Sequence, residues 1–258
     1  MAKTIAICNH KGGVGKTTTA VNVGAALAAR GLRVLLVDMD AQANLTDTLR
    51  IAVEDGGDVY ALLKGTATGL PKAVEVNAGV SLDAVPATLE LATAEIELST
   101  AIGREQLLRD ALEAWQARYD YILIDTAPTL GLLTINAMVA ADAVLIPLQA
   151  EYYALKGVRG LLNVITNVQQ RINKRLCIGG VIITQYDTRT TLHKQVREAI
   201  AAQFGAALYD TPVRNCIAIA EAQAKGSNIF AYAPDSAGAE DYGKIVDEFI
   251  KRHGGVTA

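Results

Sequence analysis

The sequence reads Lys11-Gly12-Gly13-Val14-Gly15-Lys16-Thr17-Thr18 between an apolar run at residues 4–8 and an alanine-rich, helix-like run at residues 15–30. A strand that leads through such a turn into a helix directs several backbone N–H groups, and the positive end of the helix dipole, at one small concavity. The glycines let the backbone approach phosphate oxygens, Lys16 can reach the β- and γ-phosphates, and the Thr17 hydroxyl can bind Mg²⁺. We therefore predict that residues 12–18 bind the phosphates of a nucleotide.

The loop departs from the common pattern G-x-x-x-x-G-K-[ST] at its start. His10 occupies the position of the first glycine, and Lys11 adds a second lysine to the loop. Lys11 could be a solvated side chain on a mobile loop, but its position favours a cation that acts on phosphate. Such a cation stabilises negative charge that develops on a transferring phosphoryl group.

Composition restricts the class of protein. The 258 residues, 51% of them apolar, are sufficient for one large α/β domain over residues 1–258. Three cysteines without close spacing indicate a reducing compartment rather than a disulfide framework. Neither a leader-like apolar segment nor a run of the ~18 apolar residues that a membrane span needs is present in the sequence, so we expect a cytoplasmic protein.

Six apolar runs of strand length recur along the chain, and helical patterns lie between most of them. Strands of a parallel sheet are apolar along their whole length because both faces of the sheet are covered. The pattern predicts an α/β fold with a doubly wound, mainly parallel sheet, helices on both faces and the ligand at the carboxyl ends of the strands. Residues 51–79 are the least regular stretch and are predicted to be an exposed insertion. The predicted strands are residues 4–8, 33–37, 80–85, 121–124, 143–147 and 180–184.

Carboxylates follow two of these predicted strands. Asp38 and Asp40 come directly after the run at residues 33–37, and Asp125 follows the run at residues 121–124. A single aspartate there could simply cap the next helix. Acids at two strand ends beside a phosphate loop are the arrangement that holds Mg²⁺ in P-loop enzymes, so they predict a site for a nucleoside triphosphate with Mg²⁺.

The basic residues are unevenly distributed. Residues 151–225 hold ten Lys and Arg against five Asp and Glu, a net charge of +5, whereas the remainder has a net charge of −8. This asymmetry suggests that one face could meet a polyanion. Ordinary solvated helix faces explain the same count equally well.

Four segments carry a resemblance to a known family. They are the loop K-G-G-V-G-K-T-T, V-D-M-D-A-Q-A-N from Val37, I-D-T-A-P-T-L-G-L-L-T-I-N-A from Ile124, and I-P-L-Q-A-E-Y-Y-A-L-K-G from Ile146. In these segments the chain resembles the ParA (Soj) family of DNA-partition ATPases, within the class that includes MinD. The resemblance extends from the first strand to about Phe249 and implies a short form without a preceding helix-turn-helix domain.

The resemblance implies ATP and Mg²⁺ as cofactors, and a homodimer that encloses two ATP molecules. It makes Lys11 the signature lysine that crosses to the partner subunit's phosphates, and Asp40 the acid that orients the hydrolytic water. Gly12 would lie close to the dimer partner. The implied catalytic residues are Lys11, Lys16 and Asp40, and the implied residues around the metal are Thr17, Asp38 and Asp125.

The resemblance also implies contacts outside the phosphate site. For the adenine pocket it points to Gln185, Pro212 and Val213, for which a strand-end cap and simple packing are the ordinary alternatives. It implies non-specific binding of double-stranded DNA by the ATP-bound dimer, nucleoid association in that state, and a ParB-like protein that stimulates slow hydrolysis. Ala218 stands where many relatives have an arginine. The remaining candidates for DNA contacts are Arg189, Lys194, Arg197, Arg214 and Lys225, with a second group at Arg171, Lys174 and Arg175.

Three other functions fit parts of the sequence. A MinD-like membrane-cycling regulator should end in a basic amphipathic helix, whereas residues 241–258 mix acids and bases. A metabolic ATP-dependent ligase or amidase on the same fold would need a separate small-substrate pocket, which the sequence does not reveal. An iron–sulfur reductase is not supported by the positions of Cys8, Cys177 and Cys216.

Overall fold

The structure, a computed structural model, describes residues 1–151 and 154–254. Tyr152 and Tyr153, which belong to the family-like segment from Ile146, and residues 255–258 at the end of the chain lie outside the described residues. Seven strands form one sheet in the order β3-β4-β2-β5-β1-β6-β7, in which every neighbouring pair is parallel except β3 and β4. The strands are β1 (Lys3–Ile7), β2 (Val34–Met39), β3 (Lys72–Asn77), β4 (Val80–Val85), β5 (Tyr121–Thr126), β6 (Ala143–Gln149) and β7 (Cys177–Thr184).

The central strands are buried on both faces, as their continuous apolar sequences require. In β1, Ile5 and Ile7 pack into one hydrophobic core, whereas Ala6 and the neighbouring Cys8 pack into a second core on the other side of the sheet. This alternation is the two-residue period of a strand with helices on each face.

Helices cover both faces of the sheet. Residues of α1, α2, α10 and α11 contribute to the core that contains Ile5, and residues of α3 to α8 contribute to the core that contains Ala6. The doubly wound, mainly parallel α/β fold predicted from the sequence is therefore confirmed. The helices are α1 (Lys16–Ala29), α2 (Asn44–Thr48), α3 (Val59–Lys64), α4 (Leu91–Glu97), α5 (Leu107–Leu112), α6 (Leu132–Ala140), α7 (Ala154–Arg171), α8 (Thr191–Phe204), α9 (Ile217–Ala224), α10 (Ile229–Tyr232) and α11 (Ala237–His253).

The prediction of an exposed insertion at residues 51–79 missed a strand of the sheet. This segment contains α3, which coincides with the helical pattern at about residues 58–64, and the edge strand β3, which pairs antiparallel with β4. In β3, Val74 and Val76 are buried, and Ala73, Glu75 and Asn77, which alternate with them, are exposed. The strand was missed because a continuous apolar run was taken as the strand signal, and an edge strand covered on one face alternates instead. Within the described ranges, no helix has the length and apolar character needed to cross a membrane.

The strand order brings the predicted site residues to one edge of the sheet. Strand β5 lies between β1 and β2, with Asp125 paired in register with both Ile7 and Asp38. The phosphate loop follows β1, so the loop and both strand-end acids meet at the carboxyl edge, as expected for ligand sites of open parallel sheets.

Candidate functional site

The phosphate loop has the backbone of an anion-binding turn. Gly13 and Gly15 have φ angles of 73° and 86°, in the left-handed region that glycine adopts without strain. Among the described residues, no side chain caps the start of α1 and no acid lies in its first turn. The first N–H groups of this helix are therefore available to an anion, and the helix dipole favours one there.

The end of β7 holds the loop in place from the other side. The Thr184 hydroxyl donates a 2.9 Å hydrogen bond to the Val14 carbonyl oxygen, and the Gln185 side-chain amide donates one of 2.7 Å to the Gly13 carbonyl oxygen. Gln185 itself has a φ of 52°, which is uncommon for a residue with a side chain. The loop conformation is thus fixed before any ligand binds, which lowers the entropic cost of binding.

Lys16 is buried beneath the loop, and its ammonium group lies 3.3 Å from the Lys11 carbonyl oxygen. Burial lowers the pKa of Lys16, while the charges of Asp125 and Asp40 counteract that shift. A desolvated cation opposite these carboxylates can bind phosphate oxygens more strongly than a solvated lysine could.

Asp38 and Asp125 form a pair of buried carboxyl groups on neighbouring strands. Burial raises the pKa of both groups above the usual range, and the charge of Asp38 raises the pKa of Asp125 further. Asp38 accepts hydrogen bonds from the Asp40 N–H and from both the N–H and the hydroxyl of Thr46. Asp125 Oδ2 accepts a 2.6 Å bond from the Thr17 hydroxyl, whereas its buried Oδ1 has no partner among the described residues.

These groups fit a magnesium ion. Mg²⁺ prefers oxygen ligands, usually one or two carboxylates with waters and substrate phosphates. The unpartnered Asp125 oxygen and the Thr17 hydroxyl supply oxygens beside the loop. Both Asp38 oxygens already accept hydrogen bonds, so Asp38 would act through its charge and by supporting waters, as expected from the resemblance.

Replacement of Asp125 by asparagine tests whether this buried carboxyl group destabilises the ligand-free protein and binds Mg²⁺. We expect Asp125→Asn to stabilise the ligand-free protein at neutral pH by about 1–3 kcal/mol, because an uncharged amide avoids the cost of burying or protonating a carboxyl group whose pKa is raised. The same change should weaken Mg²⁺-dependent nucleotide binding at least about tenfold, because a ligand oxygen is lost. Urea unfolding and nucleotide titration with Mg²⁺ or EDTA measure the two effects, with Asp47→Asn on the exposed face of α2 as the control. A variant that is less stable yet binds as tightly would contradict the assignment of Asp125.

Asp40 is buried at the wall of a cavity next to the phosphate loop. Its Oδ1 accepts a 2.9 Å hydrogen bond from the Gln42 N–H, which fixes the carboxylate in the turn after β2. A fixed carboxylate at this position can accept a hydrogen bond from a water beside the terminal phosphate.

Lys11 points away from the loop's own cavity. Its ammonium group donates to Gln149 Oε1 at 2.9 Å and to Glu151 Oε2 at 2.5 Å. Gln149 in turn donates to Gln185 Oε1 at 2.5 Å, so a chain of polar side chains connects Lys11 with the end of β7. The Lys11 side chain is thus held against Gln149 and Glu151, outside the loop's own cavity.

The cavity beside the loop has a volume of about 540 Å³, which lies within the range of small-ligand sites. Predicted residues that line it include Gln185 and Val213, whereas Val14 and Pro212 are not among its lining residues. Part of the cavity wall comes from α9, which coincides with the helical pattern at residues 218–225, but that pattern did not indicate that the helix faces the cavity. Lining residues that were not predicted from the sequence include Asn215, Cys216, Ile219, Gln223 and Tyr242.

The predicted DNA-contact residues differ in how far their charges are already paired. Arg214 contacts Asp241 at 2.7 Å and Glu240 at 2.6 Å, and Arg189 contacts Asp187 at 2.9 Å. Arg197 donates to the backbone carbonyl of Asp210. The remaining candidates are exposed and make no ion pair within the described ranges: Lys194, Lys225, Arg171, Lys174 and Arg175.

Comparison with known proteins gives consistent matches over nearly the whole chain. A family model described as an AAA domain matches residues 2–178. Sporulation initiation inhibitor protein Soj of Bacillus subtilis is 49% identical over 251 residues, which cover 96% of this chain and 98% of that protein. Chromosome partitioning protein ParA of Caulobacter vibrioides is 44% identical over 253 residues, which cover 97% and 94% of the two chains.

A solved structure is also similar over nearly its full length. It is that of cobyrinic acid a,c-diamide synthase from Mycobacterium smegmatis with bound ADP and magnesium. This structure has a TM-score of 0.82 at 35% sequence identity, and the match covers 97% of this chain and 95% of that one.

Proposed function

The chain belongs to the Soj/ParA family of partition ATPases, and on that premise we propose that it is a nucleotide-switched ATPase that positions DNA or another cargo. ATP closes a homodimer around two nucleotides, and this dimer binds double-stranded DNA without sequence preference. A ParB-like partner stimulates the slow hydrolysis that releases the dimer from DNA. The protein is then cytoplasmic and associates with the nucleoid in its ATP state.

One observation carries the dimeric part of this proposal. Lys11 belongs to the phosphate loop, yet its ammonium group contacts Gln149 and Glu151 and the residue does not line the loop's own cavity. A cation outside the loop's own cavity is available to contact the phosphates of a second subunit, which supports this proposal. In that position it would act as an arginine finger does, on charge that develops during phosphoryl transfer.

The remaining residues bind and orient the nucleotide. The N–H groups of residues 12–18 and the Lys16 ammonium group bind the phosphates, and Gln185 and Val213 contact the base. Thr17 and Asp125 would hold Mg²⁺, with Asp38 in support, and the bound ion would neutralise phosphate charge. Asp40 orients the attacking water, since its carboxylate is already fixed by the Gln42 N–H.

Closure across two nucleotides makes the protein a switch. The γ-phosphate is contacted by Lys11 of the opposite subunit in the closed dimer and lacks that contact in the monomer, so ATP binds the two states with different affinities. ADP lacks the contacted group and does not favour closure. Hydrolysis therefore returns the dimer to the open state.

The basic residues that are not already paired are the best candidates for DNA contacts. We expect Lys194→Glu and Lys225→Glu each to weaken DNA binding by the ATP-bound dimer about equally for all sequences. Each change should also reduce the slope of log affinity against log salt by about one for each subunit that contacts the DNA, because each loses one phosphate contact. Fluorescence anisotropy with two unrelated duplexes over a salt series measures this, with Lys251→Glu on α11 as the control. An unchanged slope in both variants would remove these lysines from the DNA surface.

Dimerisation by ATP is the first requirement of the proposal. Sedimentation velocity of Asp40→Ala should show a dimer with ATP and Mg²⁺, and a monomer with ADP or without nucleotide. A protein that remains monomeric with ATP, or that dimerises equally in all three conditions, would reject the switch.

A second candidate function is a metabolic ATP-dependent ligase or amidase. The structural similarity to cobyrinic acid a,c-diamide synthase favours it. A second cavity of about 470 Å³, lined by residues that include His10, Lys11, Gln149 and Glu151, provides space for a small substrate. The two candidates differ in their requirement for DNA. ATP turnover that is insensitive to DNA and to a ParB-like protein, but is activated by glutamine and a small carboxylic acid, would support the ligase.

A further inference from the structure

Helix α4 is apolar on two faces. Leu91 and Ala94 on its inner face are fully buried in the core. Outside the core, Leu89 in the turn just before the helix is 72% exposed, Ile96 in the last turn of the helix is 78% exposed, and Ile102 beyond the helix is fully exposed. This segment therefore presents three large apolar side chains to solvent. We call Leu89, Ile96 and Ile102 the outer stripe.

The surroundings of the outer stripe are acidic. Residues 88–105 contain four glutamates and one arginine, a net charge of −3. A cleft of about 260 Å³ lies next to Leu89, since Thr88 and Glu90 on either side of that residue line it. The charged residues that line this cleft are Glu54, Asp55, Asp58, Glu90 and Lys64.

The segment that carries the stripe is connected to the nucleotide site at its start. The Ala87 N–H donates a 2.9 Å hydrogen bond to the Thr46 hydroxyl, and this hydroxyl donates a 2.8 Å bond to Asp38 Oδ2. Two hydrogen bonds thus separate the beginning of the segment from a carboxylate that we place beside Mg²⁺.

A second connection runs through Glu95 of α4. Its carboxylate lies against Gly131, so closely that a Cβ at Gly131 would overlap it. Gly131 precedes α6 and ends the loop that begins after Thr126, the last residue of β5. Residues 87–97 thus contact the loop before α6 through Glu95 and, through Ala87 and Thr46, the Asp38 carboxylate.

We propose that the outer stripe and the adjoining acidic cleft are the docking site of the partner that stimulates hydrolysis. The partner segment that fits carries apolar side chains for the stripe and a lysine or arginine for the cleft. This inference rests on the proposed function and adds to it the place where the partner binds and the chemistry of the segment that binds there.

The negative charge of this surface favours a basic protein segment over DNA, anionic lipid or a second copy of this chain. DNA and anionic lipid would be repelled by the net negative charge of residues 88–105. A second copy of this chain that packed the same face against itself would place acidic clefts together, and like charges across an interface cost several kcal/mol. A basic, amphipathic segment of another protein meets both the apolar and the charged part of the surface.

The test uses the full chain, the double variant Leu89→Ser/Ile96→Ser and the control Ile217→Ser, whose isoleucine is equally exposed at 77%. The probe is the ParB-like protein of the source organism, and the readouts are ATP turnover with DNA and binding by anisotropy. The double variant should keep its melting temperature, basal turnover and ATP-dependent dimer, because its side chains are exposed. Its affinity for the partner should fall at least about tenfold and stimulation should be lost, as for apolar anchors of an interface. The control should be stimulated like the wild type.

The outcomes separate this inference from the proposed function. Full stimulation of the double variant, while the wild type is also stimulated, overturns the docking site and leaves the ATPase switch intact. Loss of the ATP-dependent dimer in the double variant, with partner binding retained, overturns it in favour of a surface between two copies. A wild-type chain that neither dimerises with ATP nor responds to the partner rejects the proposed function and the docking site together.

Discussion

Replacement of Asp40 by alanine is expected to reduce ATP hydrolysis at least about a hundredfold, as for loss of a residue that orients or deprotonates a nucleophile. ATP affinity should remain within a few-fold of the wild type, because Lys16, Thr17 and the loop N–H groups are untouched. The variant should therefore accumulate as the ATP-bound dimer. Single-turnover hydrolysis and equilibrium binding of a fluorescent ATP analogue measure the two quantities separately.

Two control variants sharpen this experiment. Asp40 also accepts a hydrogen bond from the Gln42 N–H, so alanine removes a structural contact as well as a carboxylate. Asp40→Asn can keep that bond and should still lose hydrolysis, because an amide cannot act as a base. Asp47→Ala removes an exposed carboxylate from α2 and should hydrolyse ATP normally. Normal turnover by Asp40→Ala, or loss of ATP binding in both Asp40 variants, would contradict the role of Asp40.

Replacement of Lys11 by alanine is expected to leave ATP binding by the single chain almost unchanged. The Lys11 ammonium group contacts Gln149 and Glu151 rather than the loop's own cavity. The ATP-dependent dimer should be lost or hydrolysis should fall at least about a hundredfold, since the cation that one subunit supplies to the other is missing. Sedimentation velocity and ATP turnover at matched protein concentrations measure both effects.

The energetic cost of releasing Lys11 is small. Lys11 and Glu151 are each about half exposed, and an exposed ion pair contributes roughly 0–1 kcal/mol to stability. Closure of the dimer can therefore transfer the lysine from Glu151 to a partner's phosphate at little cost. Lys156→Ala removes another lysine beside the same 470 Å³ cavity and is the matched control. If Lys11→Ala dimerises and hydrolyses ATP like the wild type, Lys11 has no role in the dimer or in hydrolysis.

The sequence predicted the parts of the fold that depend on continuous local signals. Each of these elements is recognisable from its own residues: the apolar run before Lys11, the alanine-rich helix after Thr18 and the apolar strands before Asp38 and Asp125. The parallel sheet follows from the alternation of such strands with helices. The convergence of these acids with the loop also follows from sequence, because carboxyl ends of parallel strands meet at one edge.

Features that depend on tertiary contacts were not predicted. The alternating edge strand with Val74 and Val76 has only weak local signals. The sequence indicates a helix near Ile219 but not that this helix and the preceding Asn215 and Cys216 line the cavity. The contact of Lys11 with Glu151 joins residues 140 positions apart. The unpartnered oxygen of Asp125 becomes evident only when three strands are placed side by side. The spacing of residues along the sequence does not predict contacts of this kind.

The most direct test of the central claim is the affinity of Asp40→Ala for double-stranded DNA with ATP, with ADP and without nucleotide, between about 50 and 200 mM salt. The account predicts DNA binding with ATP that is at least about tenfold tighter than with ADP. The logarithm of the DNA association constant should fall linearly with the logarithm of salt concentration, with a slope set by the number of phosphate contacts. Absence of salt-sensitive DNA binding in the ATP-bound state, with the dimer present, would contradict the partition function and favour the ligase.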